Sequence, residues 1–187
     1  MPRHGITSTT VKNMAVGPGA LYRGFQNPAS PGTLIGATTE GNVARVIREW
    51  FVPELDGALG ELKGARRLVR EIPEIQANLV EMTLENLLMA LSGAQATPYP
   101  ANTPTHDLIT SAGLVSDGNY QTIALVGDLA GSNQPFVFVV KNALIVDNAE
   151  FTFGDRRTTG LRVTFRGHYD PANPNLPPYE IYRPKIV

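Results

Sequence analysis

The chain contains no cysteine. That absence excludes a disulfide framework, a thiol nucleophile and thiolate metal ligation, and it is compatible with a reducing compartment. An excess of charge is equally lacking. Sixteen lysines and arginines stand against 17 acidic residues, so no whole-surface field favours nucleic acid or an acidic partner, and any electrostatic role is local. No apolar run approaches the roughly 20 residues of a membrane span, and the opening MPRHGITSTTVKN has no apolar signal-peptide core. The expectation is a soluble chain made in the cytoplasm, without membrane partners. Histidine is scarce, and His4, His106 and His168 show no HxH or HExxH spacing, which argues against a metal site. No GxSxG turn is present, and neither GPGALYRG nor GLVSDGNY has the lysine-bearing spacing of a phosphate loop. Catalytic, cofactor and metal residues are therefore all read as none, and the chain as not an enzyme.

What the chain has is strand patterning and arms. Residues 1–187 read as one domain. Residues 1–42 form an N-terminal arm and first strand, rich in Gly, Pro, Ser and Thr but too apolar at Val11, Met14, Val16, Leu21, Tyr22 and Phe25 to be a disordered tail. Residues 43–169 form a β core. VARVIREWF (43–51) reads as a strand, and in the long strand that resumes at Arg66 the residues Ile75, Ala77 and Leu79 share one face and Glu74, Gln76 and Asn78 the other. Pro73 points to an edge position or bulge. Near 83–92 the period lengthens to that of a helix, with Leu84, Leu87, Leu88 and Leu91 in step, Thr83 as cap, Glu85 in the first turn, Met82 stapling onto Leu87 and Gly93 as stop. AQATPYPANTPTH (94–106) reads as a polar loop. QPFVFVVKNALIV has the continuous apolar run of a strand covered on both faces, AEFTFGD alternates through Phe151 and Phe153, and LRVTFRGHY alternates cleanly. Arg162 and Arg166 give this last strand a polar face, read as solvated or subunit-facing rather than as a nucleic-acid surface. Residues 170–187 are too proline-rich for a helix or central strand, yet Tyr179, Ile181, Tyr182, Ile186 and Val187 are too apolar to leave in water. The expectation is a C-terminal arm docked on another subunit.

Between the two long strands lies LDGALGELKG, where Gly57, Gly60 and Gly64 permit several backbone conformations and Asp56, Glu61 and Lys63 supply charge of both signs. Taken alone, these are solvated turn residues in a loop able to be shaped by what it meets.

The ordered set GPGALYRGF, IGATTEGN, LDGALGELKG, a long strand, a leucine helix, IALVGDL, FVFVVKNALI and HYDP resembles the major tail tube protein of long-tailed, non-contractile bacteriophages along nearly the whole chain. The resemblance implies a mainly β fold with one α-helix, a tail-tube-type β-sandwich or barrel with extended N- and C-terminal arms. It implies hexameric rings stacked into a hollow tube in the virion, through which DNA is ejected. Tail terminator, tail tip and tape measure proteins are the implied partners. On that reading Asp56, Gly57, Gly60, Glu61, Lys63 and Gly64 form an inter-ring loop, and Glu74, Gln76 and Asn78 face the lumen. Two alternatives stand beside it: the tube protein of a contractile injection system, and a β-sandwich virion or surface module that recognises a receptor or glycan through Tyr99 or Tyr120.

Overall fold

A computed structural model describes residues 5–151, 155 and 160–186. The strands in chain order are β1 (Ala15–Arg23), β2 (Thr33–Leu34), β3 (Thr38–Phe51) and β4 (Arg67–Leu79). After helix α1 (Leu84–Ala90) come β5 (Ala94–Tyr99), β6 (His106–Ser111), β7 (Gln121–Leu129), β8 (Phe136–Ile145), β9 (Leu161–Gly167) and β10 (Tyr179–Tyr182). The fold is mainly β with one α-helix, and all pairings are antiparallel. The main sheet runs β2-β1-β7-β8-β9-β4-β3, with β10 added to β8 and β5-β6 forming a separate hairpin. The sheet curls until its far strands approach. Asn42 Nδ2, at the start of β3, donates to Pro18 O at 3.1 Å in β1.

β8 explains this architecture. Its FVFVVKNALI run buries both faces, as the unbroken apolar stretch predicts. Phe138 and Val140 enter the larger core with Leu21, Ile75, Leu79, Ile123, Leu161 and Phe165. Val137 and Val139 point the other way, onto Ala124, Phe25 and Tyr182. Strand β9 buries Leu161, Val163 and Phe165 as expected, but Thr164 on its polar face is buried as well. On β4, Ile75, Ala77 and Leu79 are buried as expected.

Several expectations require correction. Of the arm and first strand expected over 1–42, GPGALYR (17–23) belongs to the strand: β1 is bulged between Val16 and Ala20 and paired with β7, and Leu21 within it is fully buried. β4 as a whole is interior between β3 and β9, yet at Pro73 it is paired with β3 alone, the local edge position expected of proline. Proline is accommodated because β9 pairs with β4 only from Glu74 to Leu79 and has ended beside it. A Cβ at Gly167, the last residue of β9, would lie 2.7 Å from Pro73 Cγ. Helix α1 spans one and a half to two turns, and Thr83 caps it by accepting from Asn86 N at 3.2 Å. Its most buried residues are Asn86 and Ala90, while Leu91 is exposed. Residues 94–106 are largely β5 and its turn into β6, not a featureless loop. Phe151 lies outside any strand, and Phe153 and Val187 lie outside the described residues.

Candidate functional site

Two surfaces gather the residues singled out by sequence. The first is the outer half of the β3–β4 hairpin. β4 residues 67–72 pair with β3 alone, so this half projects past the rest of the sheet and ends in the loop 52–66. Gly57 and Gly64 take φ of 83° and 86°, the left-handed conformation that suits glycine, whereas Gly60 does not require it. Turns close at Ala58 N to Leu55 O and at Ala65 N to Leu62 O, both 3.1 Å. Glu61 is engaged within the loop: Arg66 Nε and Nη2 donate to its two oxygens at 2.8 Å each. That hydrogen bonding holds the Glu61 carboxyl below the ordinary carboxylate range. Arg66 also lies 5.8 Å from the Trp50 ring centre. Among the described residues Asp56 and Lys63 are exposed and form no ion pair. Trp50, Phe51, Leu55, Leu59, Leu62, Leu68 and Val69 are all exposed, Leu59 completely.

The second surface is the face of β3, β4 and β9 turned away from the core. Register aligns Arg45, Glu74 and Arg166 across the three strands. Arg45 Nε donates to Glu74 Oε2 at 2.8 Å, and Arg166 Nε to Glu74 Oε1 at 2.8 Å. Glu74 is fully buried beneath these side chains. It is therefore not the open, wet position expected from alternation. Burial pushes its carboxyl pKa up, but the hydrogen bonds and charges of both arginines outweigh this and hold it below the ordinary range. Gln76 and Asn78 are half-buried, bonded to Thr164 Oγ1 at 3.3 Å and to Glu40 Oε2 at 2.8 Å. Arg162, beside Asn78, is exposed.

The C-terminal contacts are intrachain, which corrects the expectation of an arm given wholly to a neighbour. β10 pairs with β8 from Tyr179↔Val140 to Tyr182↔Val137. Tyr179 stacks on Phe138 with centroids 6.1 Å apart, and Tyr182 meets Phe25 at 5.6 Å. Among the described residues only Ile181 of the expected contacts is strongly exposed, and Ile186 is half-buried. An apolar arm has a place to dock here because β9 covers β8 only at 143–145, leaving the edge at 137–140 free.

Sequence reading missed Arg45, Arg48, Glu71 and Asn86. Glu71 shares the parity of Ile75 and Ala77, so alternation alone placed this carboxylate on the core face; its partners Arg48 and Tyr179 come from other strands. Tyr99 is exposed on the β5–β6 hairpin, while Tyr120 sits edge-on to His168, 5.3 Å away. Among the described residues no group of three or more His, Asp or Glu is placed to hold a metal, and no helix is long and apolar enough to cross a membrane. No protein-family model and no curated protein sequence matches the chain.

Proposed function

We propose that this chain is a structural virion protein, a phage tail tube subunit that assembles into stacked hexameric rings and forms a conduit for DNA ejection. One observation carries the reading: the projecting β3–β4 hairpin exposes an aromatic pair and a row of leucines, far more contiguous apolar side chain than a free surface keeps without a partner. The ordered motifs of the sequence supply the kind of partner, further copies of the same chain. The outer edge of β3, unpaired over its length among the described residues, is a second surface that assembly would cover. The polar face of β3, β4 and β9 suits the lumen, since its charges are largely matched within the sheet and phosphate would find few free cations. Terminator, tip and tape measure proteins would meet the tube at its ends and bore. No step of this role is catalytic.

Electron microscopy of the purified chain at high concentration tests the reading. Hollow tubes or six-fold rings are expected, and Leu59→Asp combined with Leu62→Asp should abolish them while leaving the monomer folded. Persistently monomeric protein, or tubes indifferent to both changes, would reject it.

A further inference from the structure

The β3–β4 hairpin is tied to the rest of the sheet in an unusual way. Beyond Pro73, β4 has lost β9, and β10 occupies the next stretch of the β8 edge without pairing to β4. Side chains bridge that gap. Arg48 Nε on β3 donates to Glu71 Oε1 at 2.6 Å, and the Tyr179 hydroxyl on β10 donates to the same oxygen at 3.1 Å. Arg48 Nη2 in turn donates to the Tyr179 oxygen at 3.2 Å. Glu71 is only 6% exposed, so its charge has little water to fall back on.

The Tyr179 end of this bridge is fixed. Its ring lies nearly parallel to Phe138, at 16°, and β10 is pinned by the Lys141–Glu180 ion pair, by Tyr182 Oη donating to Glu180 at 2.6 Å, and by the Phe25–Tyr182 contact. Among the described residues the hairpin end has no strand pairing to the rest of the sheet, since 67–72 pair only within the hairpin.

We propose that Glu71 is a positioning residue: through Tyr179 and Arg48 it fixes the direction in which the β3–β4 hairpin leaves the sheet, so the docked C-terminal strand sets where the loop 52–66 points. Lifting β10 from β8 removes Tyr179 from the bridge and frees the hairpin to swing about Pro73. The consequence for assembly rests on the tube reading, because the hairpin is the segment given to other subunits there. The coupling itself is a property of the isolated chain and is measured on it, so either idea can fail without the other.

The cysteine-free sequence lets nitroxides be placed cleanly at Ala58→Cys in the loop and Asn133→Cys in the β7–β8 turn. In Tyr179→Phe, which keeps the ring on Phe138 but removes the hydroxyl, the distance distribution should broaden. Amide exchange at 45–51 and 67–72 should quicken about tenfold while 137–140 stays protected. Glu71→Gln, of nearly the same shape, should do the same, and Tyr179→Phe decides the matter if that change lowers stability throughout. Unchanged distances and exchange in Tyr179→Phe would overturn the proposal. So would equal acceleration at 137–140, because the hydroxyl would then merely hold β10 in place.

Discussion

At the residue scale the charged side chains that matter are those whose exposure and pattern disagree. Glu74 alternates with Ile75 and Ala77 as a wet residue should, yet it is buried by arginines from the two neighbouring strands. Glu74→Gln should lower stability by about 2 kcal/mol at neutral pH, through loss of charge-assisted hydrogen bonds to two cations that are themselves half-exposed. The sign with pH follows from the direction of the shift. A carboxyl held below its unfolded pKa contributes fully above the ordinary carboxylate range and loses that contribution as pH falls through its folded value. The gap between wild type and Glu74→Gln in urea midpoints should therefore close in acid. A gap that is constant with pH would mean the carboxylate is not titrating against these arginines. Glu74→Lys is a poorer probe of any channel than alternation suggested, since it places a third cation between Arg45 and Arg166 and its first effect is on folding.

Among elements, the short helix α1 depends on side chains more than on its own length, because so few turns supply little propagation. Thr83→Ala should cost about 1 kcal/mol through loss of the cap. Asn86→Ala should cost about 2 kcal/mol, because Nδ2 donates to Ile35 O at 3.1 Å and Glu81 O at 2.9 Å and thereby ties the helix to the β2–β3 connection. Denaturant melts should rank Asn86→Ala below Thr83→Ala; the reverse order would make the helix an independent unit held mainly by its cap. The leucine period announced this helix, but not which face would be covered. An asparagine is the most buried polar residue in it because two carbonyls from other segments converge there. Gly167→Ala offers a check on the other irregular element: the close approach to Pro73 Cγ and Val140 Cγ1 predicts a loss of about 1–3 kcal/mol from overpacking. Wild-type stability in that variant would show that the end of β9 can move away from Pro73.

For the whole molecule, the C-terminal strand is part of the fold before it is part of any assembly. Removing residues 171–187 takes Tyr179 off Phe138 and Tyr182 off Phe25 and leaves the 137–140 edge of β8 bare. The loss should be about 3 kcal/mol or more, from the apolar area of two tyrosines, and should expose surface that binds an apolar dye. A truncated chain with wild-type melting and no dye binding would return the segment to the role of a free arm. On the proposed tube reading the Asp56 and Lys63 charges belong to this scale too, because among the described residues neither forms an ion pair within its own chain. Their substitution should leave monomer melting unchanged and weaken tube formation modestly at low salt, with the difference from wild type vanishing at high salt, as sedimentation across a salt series would report.

The sequence by itself determined the strand faces and the class of fold. Period-two alternation in β4 and β9, the two-sided apolar run of β8 and the capped leucine period of α1 are local signals that reflect backbone geometry over a few residues; the apolar positions of these strand patterns are largely buried as predicted, whereas the leucines of α1 are only partly covered. Tertiary structure alone decided the pairings: that GPGALYR lies against β7, that β10 completes the edge β9 leaves, and that Glu74 and Glu71 find arginines directly opposite in register but distant in sequence. Register between strands is fixed by the sum of many contacts across loops of unequal length, so a buried carboxylate reads in sequence like an exposed one until the neighbouring strands are known.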